Sequence, residues 1–474
     1  MIVMKFGGSS VADAERLRRV ADLVAAARAL RPCVVVSAMG KTTDALFAAA
    51  RQARDGDYDL ALTTLEPRLA HAAATARELL ETAAVEHADD CLAALATMRD
   101  DLHVLLRGVS LLRELTPRTN DTIVAYGERI SSLLLAALLN ARNVPTTRVD
   151  ARLVVRTDDR YGAARPQLDA IAGLARKHLS PPLDDGRVVV MEGYLGATAD
   201  GSTTTLGRGG SDWSAALVGG ALRAEEVQIW TDVEGVLTAD PRVVPGARPV
   251  AVLSPAEAAE LAAFGAKVLH PSTMQPAVDA RVPITVRAAQ RPDGAFTTID
   301  PRRTRAPRQG VAALASRGPV TVLTMTSTRM LAASGYLAKL FAVFGSLDIV
   351  IDLVVTAEVS VACTVEPDAP IERLVEALDG LARVDVARDR AIVAAIGEGL
   401  RAAPDTVERA CRALAPAAPE LICFGGNDRN LSFVVAADEA GGAMQRLHEE
   451  FFGHGAAARR PARVATGRSL EASS

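Results

Sequence analysis

The chain has 474 residues, 49% of them hydrophobic and 23% charged, and a formal net charge of −4. At roughly 100–200 residues per domain this length fits two to four domains with well-buried cores. The composition excludes a disordered chain and a strongly basic nucleic-acid-binding field, leaving small molecules and other protein chains as expected partners.

The N-terminus, MIVMKFGG, shows no basic region leading into a long apolar stretch and a cleavage site, and no later segment stays apolar for about 18 residues. A soluble, unprocessed, cytoplasmic protein is expected. Cys33, Cys91, Cys363, Cys411 and Cys423 are scattered without a CxxC or Cys/His pairing, which argues against a disulfide framework or a zinc site. No metal site built from protein ligands alone is expected.

Residues 1–300 alternate short β-branched runs with helical stretches. Val34–Ser37, Val188–Met191, Val227–Thr231 and Pro283–Val286 read as strands. VVVSAMG and VVVMEGY are apolar on both faces, as in the centre of a mainly parallel sheet covered by helices, whose carboxyl edge should carry ligands. Residues 59–115 are Ala/Leu-rich and poor in Gly, the pattern of a helical insertion. Asp300–Gly310, DPRRTRAPRQG, concentrates Pro and Arg without periodicity and marks a linker over 301–310.

Beyond it the pattern is strand Val320–Met325, helix Met330–Phe344, strands Ile349–Val355 and Val359–Val365, helix Ile371–Leu381 and strand Val384–Val386, a βαββαβ module over 311–391. A second pass over 392–453 runs Ile392–Ile396, Thr406–Leu414, Leu421–Phe424, Leu431–Val435 and Glu439–Phe452, one strand short. Val311–Ala315 can supply that strand if the two modules interleave. Residues 454–474 are small, basic and patternless, and read as a disordered tail.

Three segments carry chemistry. Lys5-Phe6-Gly7-Gly8-Ser9-Ser10 is a strand end turning through two glycines into a helix, with Ser10 and Asp13 resembling a capping box. Such a turn brings backbone amides to an anion, and Lys5 adds a full charge. It is not a Walker motif, because the lysine precedes the glycines. TTTLGRGGSD, residues 203–212, delivers hydroxyls, a guanidinium and a carboxylate through a second glycine loop, with Arg208 suited to a bidentate grip on a carboxylate. The strand VQIWTD ends in Thr231 and Asp232 and leads to Arg242 and Lys267, which fit the nucleotide side of a kinase. Each alone has an ordinary reading as a turn or a solvated charge. Two anion-type loops in one α/β domain make that reading weaker.

Taken together, KFGGSS, VVVSAMGKTTD, YGERISS, RTDDRYG, TTTLGRGGSDWSAAL, TDVEGVLTADPR and FGAKVLHP resemble the ordered motifs of the aspartate kinases of the amino-acid-kinase superfamily. The tail, with ICFGGNDRNLSFVV, is similar to the paired ACT modules of the lysine-sensitive monofunctional enzymes. The resemblance implies an α/β three-layer sandwich with a mainly parallel sheet, followed by two ferredoxin-like ACT modules. It implies transfer of the ATP γ-phosphoryl group to the side-chain carboxylate of L-aspartate, with Mg²⁺, at the first step of lysine, threonine, methionine and diaminopimelate biosynthesis. Lys5, Gly7, Gly8 and Ser9 would surround the transferred group and Asp212 would orient the lysines. Ser37, Thr43, Glu128 and Arg208, Gly209, Gly210 and Ser211 would hold aspartate, Arg208 on its α-carboxylate and Glu128 on its α-ammonium. Thr231, Asp232, Leu237, Arg242, Lys267 and Val268 would line the ATP site with Lys5.

Met330, Tyr336, Leu337, Asp352, Glu358 and Val359 would surround an effector amino acid, lysine or threonine, at an ACT–ACT contact, so a homodimer or higher homo-oligomer is expected. Several of these are equally at home in an ACT core. Ser9 stands in place of the usual threonine and Leu237 in place of a tyrosine; Ala333 and Ala357 replace two serines of the lysine-sensitive pattern. The alternatives are a kinase of the same fold with another acceptor, and a catalytically dead amino-acid sensor. Retention of Lys5, Arg208, Asp212 and Lys267 argues against the latter.

Overall fold

The computed structural model describes all residues except 82–84, 266–268, 270, 303–309, 332, 404 and 454–474. The linker, most of which falls at 303–309, and the tail therefore lie outside the described residues, as do Lys267 and Val268. The chain divides into two compact units. One comprises Met1–Leu237, Pro249–Ala263 and Lys267–Pro307, the other Thr238–Arg248, Phe264–Ala266 and Arg308–Ser474.

The first unit holds strands β1 (Ile2–Phe6), β2 (Pro32–Val36), β3 (Thr146–Val149), β4 (Val188–Glu192), β5 (Leu195–Ala197), β6 (Thr203–Thr205), β7 (Glu226–Thr231), β8 (Val252–Leu253), β9 (Ile284–Ala288) and β10 (Thr297–Ile299). Its helices are α1 (Ala14–Ala26), α2 (Thr42–Arg54), α3 (Tyr58–Leu80), α4 (Val85–Leu112), α5 (Pro117–Val124), α6 (Tyr126–Ala141), α7 (Leu168–His178), α8 (Ser180–Asp184), α9 (Gly210–Ala221), α10 (Pro255–Ala263) and α11 (Pro271–Asp279). Eight strands form one sheet in the order β3-β4-β2-β1-β7-β9-β10-β8, and every pairing is parallel except β9 with β10.

Every residue of β1, β2 and β4 is buried, the consequence of side chains that are almost all apolar on both faces. Ile2, Met4 and Phe6 of β1 join Val34, Val36, Val188 and Val190 in the cluster built with α1 to α6. The opposite face is covered by α9, whose Gly219 lies so close that a Cβ there would strike the Val227 side chain and reach within 3.8 Å of Val3. The expected insertion is the hairpin of α3 and α4, whose Leu65, Leu69, Leu95, Leu102 and Leu106 enter the same core.

One helical stretch, Pro117–Ala141, is long and apolar enough to span a membrane, contrary to the sequence reading that none is. It is 78% buried within the protein and carries Asp121 and Glu128, so its apolarity serves the core.

The second unit holds β11 (Gly310–Thr326), β12 (Ile351–Thr356), β13 (Ser360–Val365), β14 (Arg383–Glu398), β15 (Leu421–Phe424) and β16 (Asn430–Ala436), with helices α12 (Tyr336–Ser346), α13 (Ile371–Ala377), α14 (Asp405–Leu414) and α15 (Ala440–Phe452). One antiparallel sheet runs β12-β13-β11-β14-β16-β15. Where the sequence suggests four separate strands there are two long ones. The first half of β11, Gly310–Arg317, pairs with the second half of β14, and Val320–Thr326 pairs with the first half. The half nearer the C-terminus thus takes its edge strand from ahead of the other half: Gly310–Arg317 pairs with Ile392–Glu398 and is the strand that 392–453 lacks. Two cores result, one under Leu323, Leu340, Phe344 and Leu374, the other under Leu314, Phe433, Met444 and Leu447. The helix read over Met330–Phe344 starts only at Tyr336, after a short turn at Thr328–Met330.

The segment Thr238–Arg248, read as catalytic, groups with this unit: Ala239 and Val244 enter the second core, and Thr238 Oγ1 lies 2.9 Å from His448 Nε2. Where β11 meets β14, a Cβ on Gly397 would fall on the Gly310 carbonyl oxygen and 2.8 Å from the Ala312 nitrogen. Gly397→Ala is therefore expected to lower stability by about 1–3 kcal/mol, the range for forced overpacking. Denaturant unfolding checks this; a midpoint equal to that of the unmodified chain would refute the tight pairing.

Candidate active site

Beyond Phe6 the chain leaves the sheet and turns at Gly8–Val11 before α1. Asp13 itself caps α1, its carboxylate accepting from the Arg16 nitrogen at 3.0 Å, whereas Ser10 is buried in the preceding turn. The expected pairing of Ser10 with Asp13 is thus replaced by a cap one turn later. The Gly8 carbonyl accepts from the Gly40 nitrogen at 3.0 Å and the Phe6 carbonyl from the Ser37 nitrogen at 3.1 Å, which ties this loop to the one after β2. A Cβ at Gly8 would be 2.7 Å from the Ala38 carbonyl oxygen, so only glycine permits the approach.

The second glycine loop follows β6. Gly207 and Gly209 have φ of +77° and +73°, left-handed values that glycine adopts without strain, and exposed Arg208 stands between them. The helix α9 begins at Gly210, and in its first turn Asp212 receives the Lys5 ammonium at 2.6 Å. This contact joins the two loops.

Glu128 approaches from α6, where Gly127 lets the helix close on Ala38: a Cβ there would be 2.8 Å from the Ala38 Cβ. The Glu128 carboxylate is 3% exposed; its Oε1 accepts from the Ala38 nitrogen at 3.2 Å and its Oε2 is buried without a hydrogen-bond partner. Burial, with the nearby charge of Glu192, pushes it up to about 8.

These elements enclose a cleft of about 550 Å³ at the carboxyl ends of β1, β2 and β4. Of the residues singled out from sequence, Lys5, Gly8, Ser37, Thr43 and Glu128 line it, together with Arg208, Gly209, Gly210, Ser211 and Asp212. Gly7 is alongside, its would-be Cβ 3.7 Å from the Lys5 ammonium. Lys5 and Asp212 also line an adjoining hollow of about 70 Å³ with Thr231 and Gly235. Thr231 in turn lines a third hollow, about 180 Å³, with Ser9, Asp232 and Arg16. Leu237 lines none of the three and instead bridges to Pro249. Arg242 belongs to the other unit, where its guanidinium closes on Asp240 at 2.5 Å.

Among the residues read as effector ligands, Tyr336 is buried and its hydroxyl donates to the Leu381 carbonyl at 2.6 Å, and Met330 packs on the same core. Asp352 is paired with Arg317 at 2.7 Å, its second oxygen buried without a partner, and burial raises its pKa despite that pairing. Leu337, Glu358 and Val359 are exposed. Sequence reasoning missed Tyr194, Phe47 and Gly162, which also line the cleft. Tyr194 follows a buried strand and has a φ of +68°; its place at a sheet's carboxyl edge was the only available signal.

The amino acid kinase family model matches residues 1–288, and an ACT domain model matches residues 393–451. The chain is 37% identical to lysine-sensitive aspartokinase 3 of Escherichia coli over 95% of its own length and 99% of that protein's. It is 36% identical to chloroplastic aspartokinase 1 of Arabidopsis thaliana, over 96% of its own length and 80% of that protein's. A crystal structure of E. coli aspartokinase III in complex with lysine and aspartate superposes with a TM-score of 0.79 at 36% identity, covering 95% of this chain and 99% of that one. The same enzyme with aspartate and ADP gives 0.77 at 35% identity, covering 95% and 100%. With glycine loops, buried acid and ACT tail all accounted for, the chain belongs to the amino acid kinase family, within its aspartokinases.

Proposed function

We propose that the enzyme transfers the γ-phosphoryl group of ATP to the side-chain carboxylate of L-aspartate, giving 4-phospho-L-aspartate and ADP at the entry to lysine, threonine and methionine synthesis. The observation that carries this reading is the presence, in one cleft, of exposed Arg208 and a buried Glu128 whose Oε2 has no partner. An amino acid offers both complements: its α-carboxylate suits the guanidinium fork, and its α-ammonium supplies the donors Glu128 lacks. The side-chain carboxylate is then left for the Lys5 end of the cleft. With a pKa near ~4 it is ionised at neutral pH and needs no general base.

What must be offset is repulsion between that carboxylate and the triphosphate. Lys5, held by Asp212, and the amides around Gly8 and Gly209 are suited to this, with the nucleotide extending along Thr231, Asp232 and Ser9. Lys267, Val268, Leu237 and Arg242 remain in the proposal from family resemblance alone. Among the described residues no group of three or more His, Cys, Asp or Glu is arranged to hold a metal ion. Asp212, which lines both adjoining spaces, would be the carboxylate placed to meet an Mg²⁺ accompanying the phosphates. Such an ion supplies charge neutralisation of the triphosphate. ADP release across aspartate, glutamate and acetylglutamate, with hydroxylamine trapping of the acyl phosphate, tests the assignment: activity with aspartate is expected, and activity confined to another acceptor would overturn it.

Glu128 generates a second test. Because its folded-state pKa lies near 8 and its ordinary value is 4.5, the folded protein holds an extra proton between these limits, so the stability of the ligand-free protein falls as pH rises from about 4.5 to about 8. The slope from this one group is at most about 1.4 kcal/mol per pH unit. Glu128→Gln should remove that slope and bind aspartate poorly at every pH. Parallel stability curves for the two proteins across this window would contradict the assignment.

The same proposal includes homo-oligomerisation through the ACT modules and feedback by an amino acid. The two serine-to-alanine departures, Ala333 and Ala357, each remove a hydroxyl worth roughly 0.5–1.5 kcal/mol as a net hydrogen bond. Lysine is therefore expected to inhibit weakly or not at all, with threonine the other effector to titrate. An Ala333→Ser/Ala357→Ser variant should respond to lysine more strongly than the unmodified enzyme, and sub-millimolar lysine inhibition of the latter would refute the argument.

A further inference from the structure

The mechanism above makes no use of Asp121, although its carboxylate gathers donors from two separate loops beside the cleft. Asp121 lies on α5, is 0% exposed, and among the described residues has neither arginine nor lysine within ion-pair distance. Its Oδ2 accepts from the Gly162 nitrogen and from the Thr205 nitrogen, each at 2.9 Å, and its Oδ1 accepts from the Thr205 hydroxyl at 2.9 Å. Burial raises its pKa while these three donors oppose the rise.

Both partners lead to the cleft. Gly162 lines it, within the RTDDRYG segment that no catalytic role absorbs. Thr205 ends β6, three residues before Arg208. The two loops also touch directly: the Ala164 nitrogen donates to the Thr205 carbonyl at 2.9 Å, and a Cβ on Gly207 would lie 3.1 Å from the Gly162 carbonyl oxygen. The backbone from Thr205 to Gly209 passes through two left-handed glycines, which left to themselves would be free to swing. Something must fix the start of that loop if Arg208 is to meet a carboxylate with bidentate geometry.

We infer that Asp121 is a positioning residue: by clamping Gly162 and Thr205 on one carboxylate it sets where Arg208 presents its guanidinium, and so governs affinity for the phosphoryl acceptor without touching it. This rests on the reading that the cleft takes the acceptor. An anion is the suitable group because it accepts from all three donors at once. An asparagine of the same shape would turn an NH₂ group toward at least one of them.

The test is steady-state kinetics of the full-length enzyme with Asp121→Asn and Thr205→Val, alongside thermal melting. Asp121→Asn is expected to raise the aspartate KM by about 10-fold or more, while kcat at saturating aspartate and the ATP KM stay within about 3-fold. That corresponds to one decade of affinity or more. Thr205→Val, which removes one donor of three and keeps the shape, should raise the aspartate KM by a smaller factor with little change in melting, and it decides the matter should the Asn variant not fold. A lower melting temperature or specific activity with both KM values unchanged would show Asp121 to be purely structural and overturn the clamp. If the unmodified enzyme acts on aspartate and the variants keep its KM, the clamp fails and the substrate reading stands. If it acts instead on another acceptor, the substrate reading fails and the clamp is judged by the same split on that acceptor's KM.

Discussion

The contact between the Lys5 ammonium and Asp212 is the point on which the catalytic unit turns. It links the end of the central strand β1 to the first turn of α9, and so fixes two otherwise independent glycine loops with respect to each other. Its worth is geometric. The side chains retain only 11% and 22% of their exposure, so the attraction of the pair is largely offset by the cost of desolvating both charges. A lysine held by one carboxylate keeps its remaining N–H donors free for an incoming anion, which is what a phosphoryl-transfer site requires of it.

Two buried carboxylates near the cleft show how the same group serves different ends. Glu192, at the end of β4, is 0% exposed and fully engaged: Ser132 donates at 2.7 Å, Arg148 at 2.9 Å and the Ala151 nitrogen at 2.8 Å. Glu128 has one backbone donor and an oxygen with none. A buried polar group without a partner costs roughly 1–3 kcal/mol, and the fold carries that cost at a position lining the cleft of about 550 Å³. The two acids thus differ in how far the fold satisfies them: Glu192 is fully engaged, whereas Glu128 keeps an unpartnered oxygen.

In the second unit the governing constraint is continuity of β11 and β14. Each strand runs through both four-stranded halves, so the register of one half is set by the other through covalent backbone rather than side-chain packing. Thr238–Arg248 docks in the second of these cores through Ala239, Val244 and the Thr238 to His448 bond, although in sequence it lies between strands of the catalytic unit.

Much of this was legible in the order of residues. Apolar runs on both strand faces announced a buried parallel sheet, because only a sheet covered by helices can hide VVV and VVVM, and the ordered motifs carrying the two glycine loops pointed to the kinase family. Periodicity also identified the insertion and the elements of the tail. What the sequence could not decide was everything that depends on distant partners. The acid at 121 looks like any helical acid, and the one at 128 stands out only through the family motif, until the fold removes their water and supplies three donors to the first and a single donor to the second. Likewise Val311–Ala315 and Val320–Met325 read as separate strands, because local pattern records where a chain is extended and not which strand lies across from it. Residue types and spacing determined the fold class and the cations and loops of the site; tertiary structure decided burial and pairing, since hydrogen-bond satisfaction and desolvation are properties of neighbours brought together from far along the chain.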